Sequence, residues 1–136
     1  MSGLNIKNKE LVDMAKEAMK NSYSPYSDFK VGAALLSKDG KIYTGCNIEN
    51  VAFGPSNCAE RTAIFKAVSE GVLDFEAIAI VGGKSGIIED FCPPCGVCRQ
   101  VMSEFCESDF RIILGGKGDE IKEFCLGELL PESFGL

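Results

Sequence analysis

Four side chains in two short segments carry the chemistry this sequence can do. Cys58 is followed by Ala59, Glu60 and Arg61, and Cys95 and Cys98 lie inside Pro94-Cys95-Gly96-Val97-Cys98-Arg99. Three thiolates can hold a zinc ion and leave its fourth position to water, and a carboxylate two residues from one ligand is placed to handle that water's protons. The sequence contains no histidine, so the commonest metal ligand and the usual general base are both missing, and Glu60 must do the proton work. Three thiolates on Zn²⁺ leave a formal charge of −1. Arg61 is the candidate to offset it, because a guanidinium that donates to a thiolate withdraws charge from sulfur.

Less reactive readings exist for the same residues. A lone CxxC also serves as half of a structural zinc ribbon or as a redox pair. The redox reading is weak, because the segment lacks a preceding strand and partner motifs. A closed four-thiolate site of Cys58, Cys92, Cys95 and Cys98 would bind zinc without an open position, and would suit a non-catalytic, zinc-stabilised binding module. Pro93 and Pro94 stiffen the path from Cys92, and the open site uses Glu60 as well, so the open site is favoured. Cys46, Cys106 and Cys125 read as small buried hydrophobes.

The elements that must position these groups follow from periodicity. Leu11, Met14, Ala15, Ala18 and Met19 predict a helix over 6–21 that ends before Pro25. Residues 29–36 and 41–48 read as strands of a hairpin around Lys38-Asp39-Gly40. A second helix begins near Cys58 and stops at Gly71, residues 76–81 form a buried central strand, and 82–94 is a connecting loop. Cys95 opens a third helix whose buried face is Val97, Cys98, Val101, Met102 and Phe105. Strands follow at 111–114 and 121–126, and a helical turn at 128–134. A helix between strands implies a crossover and parallel neighbours. The order argues one α/β domain over 1–136, a three-layer α-β-α sandwich with a mixed five-stranded sheet. Both cysteine segments fall where a loop becomes a helix, where free amides and the helix dipole favour thiolate.

Composition narrows the ligand class. At a formal net charge of −6, with Lys7, Lys9, Lys16 and Lys20 interrupted by Glu10, Asp13 and Glu17, no basic cluster suited to a polyanion is present. Nucleic acid is therefore disfavoured, and a small uncharged or cationic ligand fits better. Seven cysteines is an odd count, and residues 1–10 lack the apolar stretch of a signal peptide. Reduced thiols in a cytoplasmic protein are the simpler reading. No apolar run approaches the roughly 20 residues that span a bilayer, so no membrane partner is expected.

Four ordered segments give the chain a resemblance to the small, single-domain cytidine deaminases over almost its whole length. Residues 23–34 (YSPYSDFKVGAA) resemble the family's amino-terminal signature, 45–50 (GCNIEN) its nucleoside-binding segment, and CAER at 58–61 and PCGVCRQ at 94–100 its zinc segments. The three-cysteine zinc set with a separate glutamate is the pattern of nucleobase deaminases. The resemblance implies hydrolytic deamination of free cytidine and deoxycytidine, with one Zn²⁺ per subunit on Cys58, Cys95 and Cys98 and Glu60 as base and then acid. It also implies that Phe29 packs against the pyrimidine and that Asn47 and Glu49 hold the ribose 3′-hydroxyl. Ala59 would offer its N–H to the ring carbonyl, and Pro94 its carbonyl to the departing amino group. A homotetramer is implied too, with Phe134, and Phe53 in its loop, closing a neighbouring subunit's pocket. Val51 and Phe53 depart from the small residue and tyrosine that many relatives carry, so Phe53 lacks a hydroxyl for the ribose 5′ side. Enzymes acting on a cytosine-bearing antibiotic such as blasticidin S share the pattern and form the alternative.

Overall fold

The computed structural model describes residues 6–135. Five strands form a single sheet in the order β2-β1-β3-β4-β5. They are β1 (Phe29–Ser37), β2 (Ile42–Cys46), β3 (Phe75–Lys84), β4 (Arg111–Gly115) and β5 (Ile121–Cys125). Only β3 and β4 run parallel, and every other pair is antiparallel. The parallel pair is the one joined through a helix, as a crossover requires.

The alternation of side chains along the strands builds the other two layers. Ala34, Leu36, Ala77, Ala79, Val81 and Ile113 face one way and bury Leu11, Val12, Ala15 and Met19 of α1 (Asn8–Met19). Their neighbours Ala33, Leu35, Ile78, Ile80, Ile112 and Leu114 face the other way. These bury Ala63, Ile64 and Ala67 of α2 (Ala59–Ser69) with Cys98 and Met102 of α3 (Gly96–Phe105). The helices approach the sheet closely where it carries glycine. A Cβ at Gly32 would lie 2.0 Å from the carbonyl oxygen of Ala15, and one at Gly45 would lie 2.6 Å from both the oxygen of Ala59 and the nitrogen of Ala63.

The mixed five-stranded, three-layer expectation matches this architecture, with boundary differences that have local causes. β3 runs on to Lys84 where a loop was expected, because Gly82 and Gly83 stay paired with Val31 and Lys30 of β1. The last helix, α4 (Leu126–Leu129), starts ahead of the expected 128–134 turn. Glu128 reaches back to accept the amide of Cys125 at 2.8 Å, which fixes that start, and the helix ends ahead of Pro131. Val97 is exposed rather than on the buried face of α3, and Cys46, Cys106 and Cys125 are half-buried. Among the described residues no helix is long and apolar enough to cross a membrane.

Candidate active site

Both cysteine segments reach the site at helix starts. Cys58 occupies the cap position of α2 with extended backbone (φ −79°, ψ 156°), and Cys95 caps α3 (φ −69°, ψ 167°), its sulfur accepting the amide of Cys98 at 3.5 Å. Cys98, one turn into α3, is fully buried. The sulfurs of Cys58 and Cys95 are 3.7 Å apart and those of Cys95 and Cys98 3.5 Å, and all three lie within 4.8 Å of one another. Zinc–sulfur bonds of about 2.3 Å at tetrahedral angles place sulfurs roughly 3.8 Å apart, so the trio fits a zinc ion. Among the described residues Cys92 does not join this group, so the closed four-thiolate arrangement is not formed.

The surrounding charges suit a cation. The Arg61 guanidinium donates from Nη2 to the Cys58 sulfur at 3.4 Å, while its buried Nε has no partner among the described residues. Hydrogen bonds from the Cys98 thiol and from Arg61 pull Cys58 down to about 5, and Cys98 is pushed upward as it keeps the shared proton. The trio thus already carries thiolate charge at neutral pH without its metal. Glu60, only 4% exposed, lies in the first turn of α2. Burial, reinforced by the charge on Cys58, raises its carboxyl to about 7. A carboxyl that titrates near neutrality can both take and give a proton.

A cavity of about 360 Å³ opens on this cluster, lined by Val31, Asn47, Glu49, Phe53, Ser56, Asn57, the Cys58-to-Arg61 turn, Cys92, Pro93 and Cys95. That is enough for a small organic ligand. Asn47 and Glu49 are part of this lining, and their hydrogen bonds leave a defined remainder. Asn47 accepts at Oδ1 from the Val31 amide (2.9 Å) and the Ser22 hydroxyl, and donates from Nδ2 to the Phe29 carbonyl at 2.8 Å. One N–H is left. Glu49 accepts the amides of Tyr26 (3.0 Å) and Ser27 (3.1 Å) and the Ser27 hydroxyl, so about one of its four acceptor sites is left. One spare donor beside one spare acceptor suits a hydroxyl, which needs both.

These features recur in proteins of known family. Residues 5–114 match the family described as the cytidine and deoxycytidylate deaminase zinc-binding region. The chain belongs to that family. Across 91% of both chains it is 50% identical to a cytidine deaminase of Halalkalibacterium halodurans. A crystal structure of cytidine deaminase from Burkholderia pseudomallei superposes with a TM-score of 0.87 at 42% identity, covering 95% of this chain and all of that one. At 33% identity over 127 residues, 90% of this chain and 88% of the relative, it is also similar to a blasticidin-S deaminase of Bacillus cereus. Like the family's zinc-binding region, the Cys58, Cys95 and Cys98 cluster is a site for one zinc ion per chain.

Within this zinc deaminase site, the remaining expected residues are placed unevenly. Ala59 is in the cavity wall at the first turn of α2. Phe29 lines the adjoining depression with Gly82, Gly83 and Phe91, and its ring edge passes above Gly82 at the border of the main cavity. Pro94 is buried and its carbonyl accepts from Arg99 Nε at 2.7 Å, whereas Pro93 faces the cavity. Phe53 stands almost fully exposed at the mouth. Phe134 is exposed in a separate hollow with Ser103, Cys106 and Leu130, away from this chain's own site. Val31, Ser56, Asn57, Cys92 and Pro93 line the cavity without having been singled out as substrate contacts from sequence. For Asn57 a signal existed, since it directly precedes the first cysteine ligand.

Proposed function

We propose that this chain hydrolyses the exocyclic amino group of free cytidine and deoxycytidine, giving uridine or deoxyuridine and ammonia. The observation that carries the reading is Glu60: a buried carboxyl, raised by burial in the metal-free chain, beside a three-thiolate zinc site that opens on a nucleoside-sized cavity. Zinc on the three thiolates supplies the positive charge that makes a neighbouring water acidic and nucleophilic. The chain's own residues do the rest. Asn47 and Glu49 hold the sugar 3′-hydroxyl with their spare donor and acceptor, which orients C4 of the base toward the cysteine cluster. The Ala59 amide, at the positive end of α2, donates to the ring C2 carbonyl. Glu60 takes the proton of the attacking water and delivers it to ring N3, which makes C4 electrophilic. It then carries the water's second proton to the amino nitrogen, so that the C4–N bond breaks and ammonia leaves. Arg61 tempers the thiolate charge. Phe29 borders the base, and the departing amino group meets a backbone carbonyl of the Pro93-Pro94 segment.

The substrate class follows from charge as well. The one cation in the cavity lining, Arg61, donates to Cys58, and the other polar lining groups include Asn47, Glu49 and Asn57 and no second cation to clamp a phosphate, which suits an unphosphorylated sugar. The chain would act as a homotetramer in the cytoplasm, in pyrimidine salvage. Exposed Phe53 and Phe134 and an open cavity mouth support that assembly, and light scattering on the purified protein checks it. Glu60→Gln tests the chemistry. It is expected to retain zinc and to lose far more than tenfold in cytidine turnover by ultraviolet assay; a loss under tenfold, about 1.4 kcal/mol of barrier, refutes the role. Running blasticidin S beside cytidine decides between nucleoside and antibiotic, and cytidine is expected to be the better substrate.

A further inference from the structure

Cys92 takes no part in the thiolate cluster, yet it lines the same cavity, and the way it is seated is specific. Gly82 lies on the same sheet face as Ile80, under the site. A Cβ there would come 2.9 Å from the Cys92 sulfur, 3.1 Å from Phe29 Cε2 and 3.2 Å from Val31 Cγ2. The missing side chain of Gly82 is therefore the seat into which Cys92 settles, and the depth of that seat decides how far the sulfur protrudes into the cavity.

The orientation of a cytosine ring in this cavity shows which of its atoms Cys92 meets. On that reading C4 must reach the cysteine cluster, and the sugar on N1 must reach Asn47 and Glu49, which line the same cavity. N3 must face Glu60 and the C2 carbonyl must face the Ala59 amide, both in the first turn of α2. The C2–N3 edge is thus turned toward α2, and the opposite C5–C6 edge faces lining residues outside that helix, among which Cys92 and Val31 meet over Gly82. Of the two atoms on that edge, C5 adjoins C4 and so lies nearer the cysteine end. Cys92, three residues before Cys95, stands at that end.

Resting on the nucleoside reading above, we infer that Cys92, seated on Gly82, determines which substituents at C5 of the pyrimidine the enzyme accepts. The thiol is small, and it leaves room that a branched side chain would fill. Cys92→Ala deepens the pocket at C5. Gly82→Ala acts oppositely, because its new methyl group stands 2.9 Å from the sulfur and displaces Cys92 away from the sheet into the cavity.

The test measures kcat/KM for cytidine and 5-iodocytidine with zinc-loaded wild type and both variants, together with calorimetric binding of uridine and 5-iodouridine. One atom group in a tight pocket is worth roughly tenfold or more in discrimination. Cys92→Ala is expected to raise the 5-iodocytidine to cytidine ratio by at least about fivefold and Gly82→Ala to lower it by a similar factor, mainly through KM, with the binding ratios moving in parallel. The electronic effect of iodine is the same in all three proteins and cancels. A ratio unchanged within twofold in Cys92→Ala, or moved in the same direction by both variants, overturns the inference, and if Gly82→Ala does not fold, Cys92→Ala decides alone. Failure of wild type to turn over or bind any of these nucleosides removes the nucleoside reading and this inference with it, whereas turnover with an unmoved ratio removes the inference alone.

Discussion

Gly45 lies under the turn that carries Cys58 and Glu60, and replacing it with alanine tests whether packing, and not ligation alone, positions that turn. The added methyl group would sit 2.6 Å from the Ala59 oxygen and the Ala63 nitrogen and 2.9 Å from Thr62 Cβ. Ordinary carbon contacts begin near 3.4 Å, so α2 must withdraw by about 0.8 Å or β2 must yield. The obstructing atoms are helix backbone and a β-branched Cβ, which cannot rotate aside. Overpacking of this kind costs about 1–3 kcal/mol, which urea unfolding reads directly. Gly54→Ala, whose methyl meets nothing within 4 Å, is the stability control. The activity consequence is of similar size. Cys58 and Glu60 ride on the displaced turn, and a shift approaching 1 Å at a catalytic group costs on the order of a hundredfold in rate. Steady-state turnover of cytidine under conditions where Gly45→Ala remains folded, with zinc content measured on the same sample, separates the two. Turnover within twofold of wild type and undiminished zinc affinity would refute the claim that this contact sets the geometry.

Two further outcomes follow from the titrating groups. In the metal-free protein, burial raises Glu60 from 4.5 to about 7, so the folded chain keeps a proton that the unfolded chain releases. That contribution is fully present below pH 4.5 and is lost as pH rises through 7, so metal-free Glu60→Gln should gain up to about 3 kcal/mol on wild type across this window. A constant stability difference between pH 4 and 8 would contradict the burial assignment. In the same metal-free protein Cys58, pulled to about 5, should be alkylated by iodoacetamide at pH 7 well before Cys92 and Cys106, which burial pushes up to about 12. Peptide mass mapping reads the order, zinc should protect Cys58, and earlier labelling of Cys92 would reverse the assignment.

The zinc cluster and Glu60 were legible in the sequence because their chemistry depends on local spacing: Cys95 and Cys98 one helical turn apart, Glu60 two residues after Cys58, and a helix start beside each cysteine segment. The sheet was legible for a similar reason, since apolar alternation and turn residues are local signals. What escaped was decided across the chain. Gly82 and Gly83 read as a loop until β1 pairs with them. Pro93 and Pro94 are indistinguishable as neighbours, and only the hydrogen bond from Arg99 engages the Pro94 carbonyl. The same arginine donates from Nη1 to the Leu129 carbonyl at 2.8 Å, so a residue of α3 holds the loop ahead of Cys95 to the carboxy-terminal helix. No local pattern contains that tie. Asn47 and Glu49 look like solvated strand-end polars, and only resemblance gave them a role. The structure gives the physical counterpart in their hydrogen bonds, which lock the amino-terminal loop and leave one donor and one acceptor.

The arrangement of charge explains why a protein without histidine can run this chemistry at neutral pH. An isolated glutamate is too weak a base near pH 7 to hold a proton between two transfers, and imidazole is the usual remedy. Here the remedy starts from burial: in the metal-free chain Glu60 is withdrawn from water beside thiolate charge, and both effects raise it to about 7. The same thiolates would oppose ionisation of a nearby water, and Arg61 acts against that by donating to Cys58. One cation therefore acts on two groups in the same direction. It limits how far the sulfurs push Glu60 upward, and it limits how far they dampen the metal's pull on water. Removing it should shift both together, so Arg61 belongs to the proton chemistry although it carries none of the transferred protons.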